Sequence, residues 1–120
     1  MTLELHHLPG HTPDCIVGWL PELGILLGGD VMETPLPILE EDSPVTEWLE
    51  SLKHWADNKS VIRTIPAHGS TDGRECLDST IDYLEKLLGD GDMPLSLSDD
   101  EWDDFYQETH IKNLKIVRGE

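Results

Sequence analysis

Pro9-Gly10-His11-Thr12-Pro13-Asp14 stops a short strand-like run, Thr2 to Leu8, and sets a histidine directly after a glycine at the strand's end. Working outward, two further stretches repeat the arrangement. Gly28-Gly29-Asp30 closes the apolar run Ile25 to Gly29, and Pro66-Ala67-His68-Gly69 closes Val61 to Pro66. Each puts a metal-capable side chain where a strand gives way to a loop. Strand-end loops have the backbone freedom to aim such groups at one point, and flanking glycines permit close approach. Histidine offers a neutral nitrogen and aspartate two oxygens, both donor types that zinc accepts. Any one of the three alone is more often a turn residue. Together, His11, Asp30 and His68 are the candidate metal ligands.

Between these stretches, strand and helix patterns follow one another. Cys15 to Leu20 and Ile25 to Gly29 are joined by Pro21-Glu22-Leu23-Gly24, which reads as a hairpin turn. Pro35 and Pro37 mark Val31 to Asp42 as a loop. Ser43-Pro44 has the form of a helix N-cap followed by proline at the first helical position. Val45, Trp48, Leu49, Leu52 and Trp55 then recur at helical spacing, giving one buried stripe. Asp72 with Glu75 forms a capping box ahead of Leu77, Ile81, Leu84 and Leu88. Gly89 to Pro94 is a break, and Ser98 with Glu101 opens a last helix carrying Trp102, Phe105, Tyr106, Ile111 and Leu114. The expected fold is α/β and a single domain over 1–120. It is a small antiparallel or mixed sheet of four or so strands with three helices on one face.

Composition narrows the partners. The chain has 120 residues, with 25 acids against 8 bases and a net charge of -17, which repels nucleic acid and anionic lipid surfaces. Hydrophobic content of 38% and charged content of 28% suit an ordinary globular protein. There is no apolar run of membrane-spanning length and no basic-then-apolar leader, so the expected place is the cytoplasm. Cys15 and Cys76 imply no disulfide framework. Cys15 reads as a small buried hydrophobe, His54 as a surface residue, and the tryptophans as core or interface anchors. The acids from Asp99 to Asp104 suit a helix N-terminus rather than a calcium loop. His110 reads as a cap or a partner of nearby acids.

Taken together, His7-Leu8-Pro9-Gly10-His11-Thr12-Pro13-Asp14, Ile16-Val17-Gly18-Trp19-Leu20-Pro21-Glu22 and Ile25-Leu26-Leu27-Gly28-Gly29-Asp30 resemble the metallo-β-lactamase superfamily. The resemblance extends over the C-terminal half of that fold, an αββα sandwich. By this resemblance His11 is a ligand of a first zinc, Asp30 bridges two zinc ions, and His68 binds the second. His110 and Asn113 fall on a closing helix that looks like the family's C-terminal end. In the β-lactamase branch proper a cysteine stands where this chain has Asp30, which favours the other hydrolase branches.

One departure is as specific as the match. The family's His-x-His-x-Asp-His motif is nowhere in the chain. His6-His7 is no substitute, because adjacent strand residues point to opposite faces, and His7 reads as structural. The resemblance therefore implies a truncated domain that keeps part of the ligand set and is inactive alone. The alternative is one half of a dinuclear zinc hydrolase of ester or thioester type, completed by a missing N-terminal half or by dimerisation. A lone half would leave one sheet face, with Ile16, Gly18, Leu20, Ile25 and Leu27 or their alternates, uncovered. A homodimer over that face is the expected partner arrangement.

Overall fold

Gly24 closes the tight hairpin between Leu20 and Ile25. Its φ of +67° is a left-handed conformation, and a Cβ there would lie 2.6 Å from the Ser60 carbonyl oxygen. Its N–H donates to Leu20 O (2.9 Å), and its own carbonyl accepts from Ile62 N (2.9 Å), which brings in the next strand. The computed structural model describes residues 1–33, 36–68, 71, 73–89 and 104–118, without the side chains of His68, Asp104 and Tyr106. Its elements are β1 (Glu4–His7), β2 (Ile16–Leu20), β3 (Ile25–Glu33), α1 (Val45–Ala56), β4 (Arg63–His68), α2 (Glu75–Leu88) and α3 (Asp104–Arg118).

The strands form one mixed sheet in the order β1-β2-β3-β4. β1 and β3 run antiparallel to β2, and β4 runs parallel to β3, reached through α1. Directly opposed residues share a face. Glu4, Trp19, Leu26 and Thr64 make one row, and His6 with Val17 the next. That face is covered: Val17, Trp19, Leu26 and Thr64 are buried, in one core with Trp48, Leu52 and Trp55 of α1 and Leu77 and Leu84 of α2. Each buried valine or leucine among them contributes about 1.5–3 kcal/mol on full burial. The other face carries Leu5, Gly18, Leu27 and Ile65 in one row and Leu20, Ile25 and Arg63 in another. There Leu5 is 65% and Ile16 56% exposed.

The helix stripe of α1 is buried at all five expected positions. On α2 the stripe ends at Leu87, with Leu88 turned outward. Three local expectations change. Ser43 makes no cap, since α1 starts after Pro44 without a side-chain cap. Glu75 is the first residue of α2, preceded by Arg74, and Asp72 lies outside the described residues. β3 runs on to Glu33 rather than ending at Gly29, because Gly29 (φ +56°) admits a bulge where β3 shifts register against β4. The expected start of the last helix, Ser98 to Trp102, and the acids from Asp99 to Asp103 lie outside what is described, and α3 is described from Asp104 onward. The described part of α3 buries polar groups, Thr109, His110 and Asn113, while Phe105 and Ile111 face outward. No helix among the described residues is long and apolar enough to cross a membrane.

Candidate functional site

Strand direction decides which end of the sheet carries the three candidate residues. Because β1, β3 and β4 all point the same way, their C-terminal ends lie at one end of the sheet. The glycine-histidine loop follows β1 there, Asp30 sits beyond the Gly29 bulge, and His68 ends β4 opposite Glu33. Close packing ties the first two together. A Cβ on Gly10 would lie 3.0 Å from both Trp48 Nε1 and Val31 Cγ1, so only glycine lets the loop settle there unstrained. The same Trp48 Nε1 donates to Val31 O (2.9 Å), next to Asp30.

His11 is half-buried and held on every side. Its Nδ1 lies 2.6 Å from Ile38 O. A carbonyl oxygen only accepts, so Nδ1 donates its proton there and Nε2 of the neutral ring keeps its lone pair. That tautomer leaves Nε2 as the nitrogen able to bind a metal, with the other nitrogen oriented by a hydrogen bond, as is usual for a metal-binding histidine. Its backbone carbonyl accepts from Ser43 Oγ (2.8 Å), and that hydroxyl accepts in turn from Glu40 N (2.8 Å). Glu40 Oε1 stands 3.8 Å from Nε2, negative charge on the side where a cation would approach. The loop closes on itself through Thr12 Oγ1, which donates to Asp14 Oδ1 (2.7 Å). His7 closes it from behind, its Nε2 donating to Pro13 O (2.7 Å), a structural role as its strand position implied.

Asp30 is exposed, and its carboxylate is accessible at the sheet end. The side chain of His68 lies outside the described residues, so the structure fixes its strand position alone. Among the described residues no three histidine, cysteine, aspartate or glutamate side chains converge on one point. Glu33, the register partner of His68, is buried, and its N–H donates to Thr80 Oγ1 (3.2 Å), fastening this end of β3 to α2. Burial pushes the nearby Cys76 thiol up to about 11, with the Glu33 charge adding to the effect against a hydrogen bond from Thr80. His54 is on the surface, and His6 pairs with Glu4 (3.0 Å) edge-on to Trp55. Three supports escaped the sequence: the Ile38 carbonyl, the Ser43 hydroxyl, and Asn113, whose Oδ1 accepts from Leu39 N (3.1 Å) next to Ile38. The first is backbone, which no motif encodes. The second has the signature of a helix cap, and the third of an ordinary helix position.

No protein-family model matches the chain. It is 32% identical over 100 residues to a metallo-beta-lactamase type 2 from Bacteroides fragilis, covering 78% of this chain and 40% of that protein. Among solved structures it is similar to TMB-1, with a TM-score of 0.61 and 27% identity over 70% of this chain and 41% of that one. It is also similar to the metallo-beta-lactamase FIM-1 from Pseudomonas aeruginosa in its mono-zinc form. There the TM-score is 0.53 and the identity 32%, over 66% and 37% of the two chains. The chain spans about two-fifths of the length of these relatives.

Proposed function

The chain belongs to the metallo-β-lactamase superfamily through the C-terminal half of its fold, and on that premise we propose that it carries part of a zinc-hydrolase site and is inert alone. The observation that carries this reading is His11. Its imidazole is fixed in the ligand tautomer at the sheet end that Asp30 and His68 share. The donor set of two imidazoles and one carboxylate suits zinc. It also falls short of two metal ions, since the 120 residues contain no His-x-His-x-Asp-His. Zinc in a complete site lowers the pKa of bound water toward neutrality and so supplies a hydroxide nucleophile. What this chain contributes is orientation: a fixed imidazole at His11, an accessible carboxylate at Asp30, and acidic surroundings from Glu40. One weakly held zinc with water in its remaining positions is the expected occupancy.

The test is metal analysis of the purified chain alongside hydrolysis of a generic ester and thioester. Substoichiometric zinc and no turnover supports the reading; full zinc occupancy with turnover by the chain alone overturns it. One observation favours the second reading, completion by another polypeptide or a second copy. The uncovered sheet face holds Leu5, Ile16, Leu20, Ile25, Leu27 and Ile65, with no acid at these register positions although the chain carries -17. Apolar faces of that kind mark interfaces, and a sheet of similar shape is the natural cover.

A further inference from the structure

The geometry points to Asn113, on α3, as the positioning residue that sets the orientation and tautomer of His11 through a single peptide unit. The inference rests on His11 being a ligand only for its effect on zinc; the positioning itself is a property of the metal-free chain. Asn113 is fully buried. Its Oδ1 accepts from Leu39 N (3.1 Å), and its Nδ2 donates to Pro37 O (2.9 Å) and to Tyr83 Oη (3.2 Å). The assignment of its oxygen and nitrogen is forced, because an N–H only donates and a carbonyl only accepts. The carboxamide thus grips the chain on either side of Ile38.

The peptide linking Ile38 to Leu39 joins the two ends. In a planar trans peptide the N–H and C=O of one unit point in opposite directions. Here the N–H of Leu39 faces Asn113, and the C=O of Ile38 faces His11 Nδ1 at 2.6 Å. Turning that plane breaks both bonds at once. Hydrogen bonds at its two ends also polarise each other, so the donor and acceptor strengthen together. Behind Asn113, Tyr83 Oη lies 2.8 Å from His110 Nδ1, which roots the clamp in α2 and α3. A helix far along the sequence therefore decides which nitrogen of His11 is free.

The imidazole nitrogen shifts of His11, measured by NMR in the metal-free chain near pH 8.5, where neutral rings predominate, test this directly. Wild type should show its proton on Nδ1, opposite to the Nε2–H preference of a histidine side chain free in water. In Asn113→Ala, folded by circular dichroism, the ring should move to a mixture dominated by Nε2–H, and zinc affinity should fall about tenfold or more. An unchanged His11 tautomer in the folded variant overturns the inference. If Asn113→Ala does not fold, hydrogen exchange of the Leu39 amide in wild type decides. Protection comparable to α3 supports the clamp, and loop-like exchange removes it. Wild type that takes no zinc, with a tautomer that still responds to Asn113, would overturn the proposed function and leave the positioning role standing.

Discussion

Replacing Gly10 by alanine tests whether the histidine loop is locked to the end of β3 by packing. The added methyl would meet Trp48 Nε1 and Val31 Cγ1 at 3.0 Å and Trp48 Cδ1 at 3.1 Å. Neither neighbour has room to retreat, since Trp48 is 0% and Val31 1% exposed and the indole is tied to Val31 O. Overpacking of this kind costs about 1–3 kcal/mol, and losing glycine's unfolded-state entropy returns about 0.4–1. The net loss should be about 1–2 kcal/mol, a fall in Tm of about 4–8 °C. Urea unfolding followed by tryptophan fluorescence reads it as a lower midpoint at unchanged slope. Val31→Ala removes one of the three clashes, so in that background the Gly10→Ala penalty should shrink by about 0.5 kcal/mol or more. Gly29→Ala is the control. Nothing lies within 4 Å of its Cβ, its cost comes from φ +56° alone, and Val31→Ala should not relieve it. Wild-type stability for Gly10→Ala, or a penalty indifferent to Val31, would refute the packing account.

Three other outcomes are expected. His11→Ala or His68→Ala should lower zinc uptake, read by equilibrium dialysis, while leaving the far-ultraviolet circular dichroism unchanged; unaltered uptake would remove both from the site. Burial raises the Cys76 thiol from 9.0 to about 11 and the Tyr83 hydroxyl from 10.0 to about 12, the latter against a hydrogen bond from Asn113. Both protons stay on in the fold after the unfolded chain has lost them, so stability should be full below pH 9 and fall between pH 9 and 12. Cys76→Ser should flatten the first part of that decline, and a Tm independent of pH across the range would contradict it. Sedimentation at micromolar concentration should show a dimer that tightens with salt, because the -17 charge opposes association and is screened. A clean monomer at every salt concentration would sink the dimer.

Elements that bury one periodic face were legible in the sequence. Val45, Trp48, Leu49, Leu52 and Trp55 gave α1 its buried side, and Pro21 to Gly24 gave the hairpin. The strand-end positions of His11 and His68 also followed from their glycines and prolines, whereas Asp30, expected at a strand end, lies inside the longer β3. What was not legible depended on partners distant in the chain. The serine before Pro44 has the signature of a helix cap, yet its hydroxyl is drawn to the His11 carbonyl across the loop. The extension of β3 past Gly29 needs β4 beside it, and no local pattern records a parallel neighbour. α3 reads as an apolar stripe including Phe105, Ile111 and Leu114; Leu114 does pack against the core, but Phe105 and Ile111 face outward, and the buried positions go to Asn113 and His110, polar residues whose value lies in what they touch.

The bulge at Gly29 divides β3 into two parts under different rules. Before it, strict alternation binds each residue's identity to a face, with Leu26 among the helices and Leu27 on the uncovered side. After it, Val31, Met32 and Glu33 are all buried in succession, which a strand with one face open to solvent does not allow. A one-residue deletion in Ile25 to Leu27 would turn the whole upstream strand inside out, whereas changes beyond Gly29 are insulated from that register. The bulge works as a mechanical joint: the segment beyond Gly29 can be altered without changing which face Ile25, Leu26 and Leu27 present.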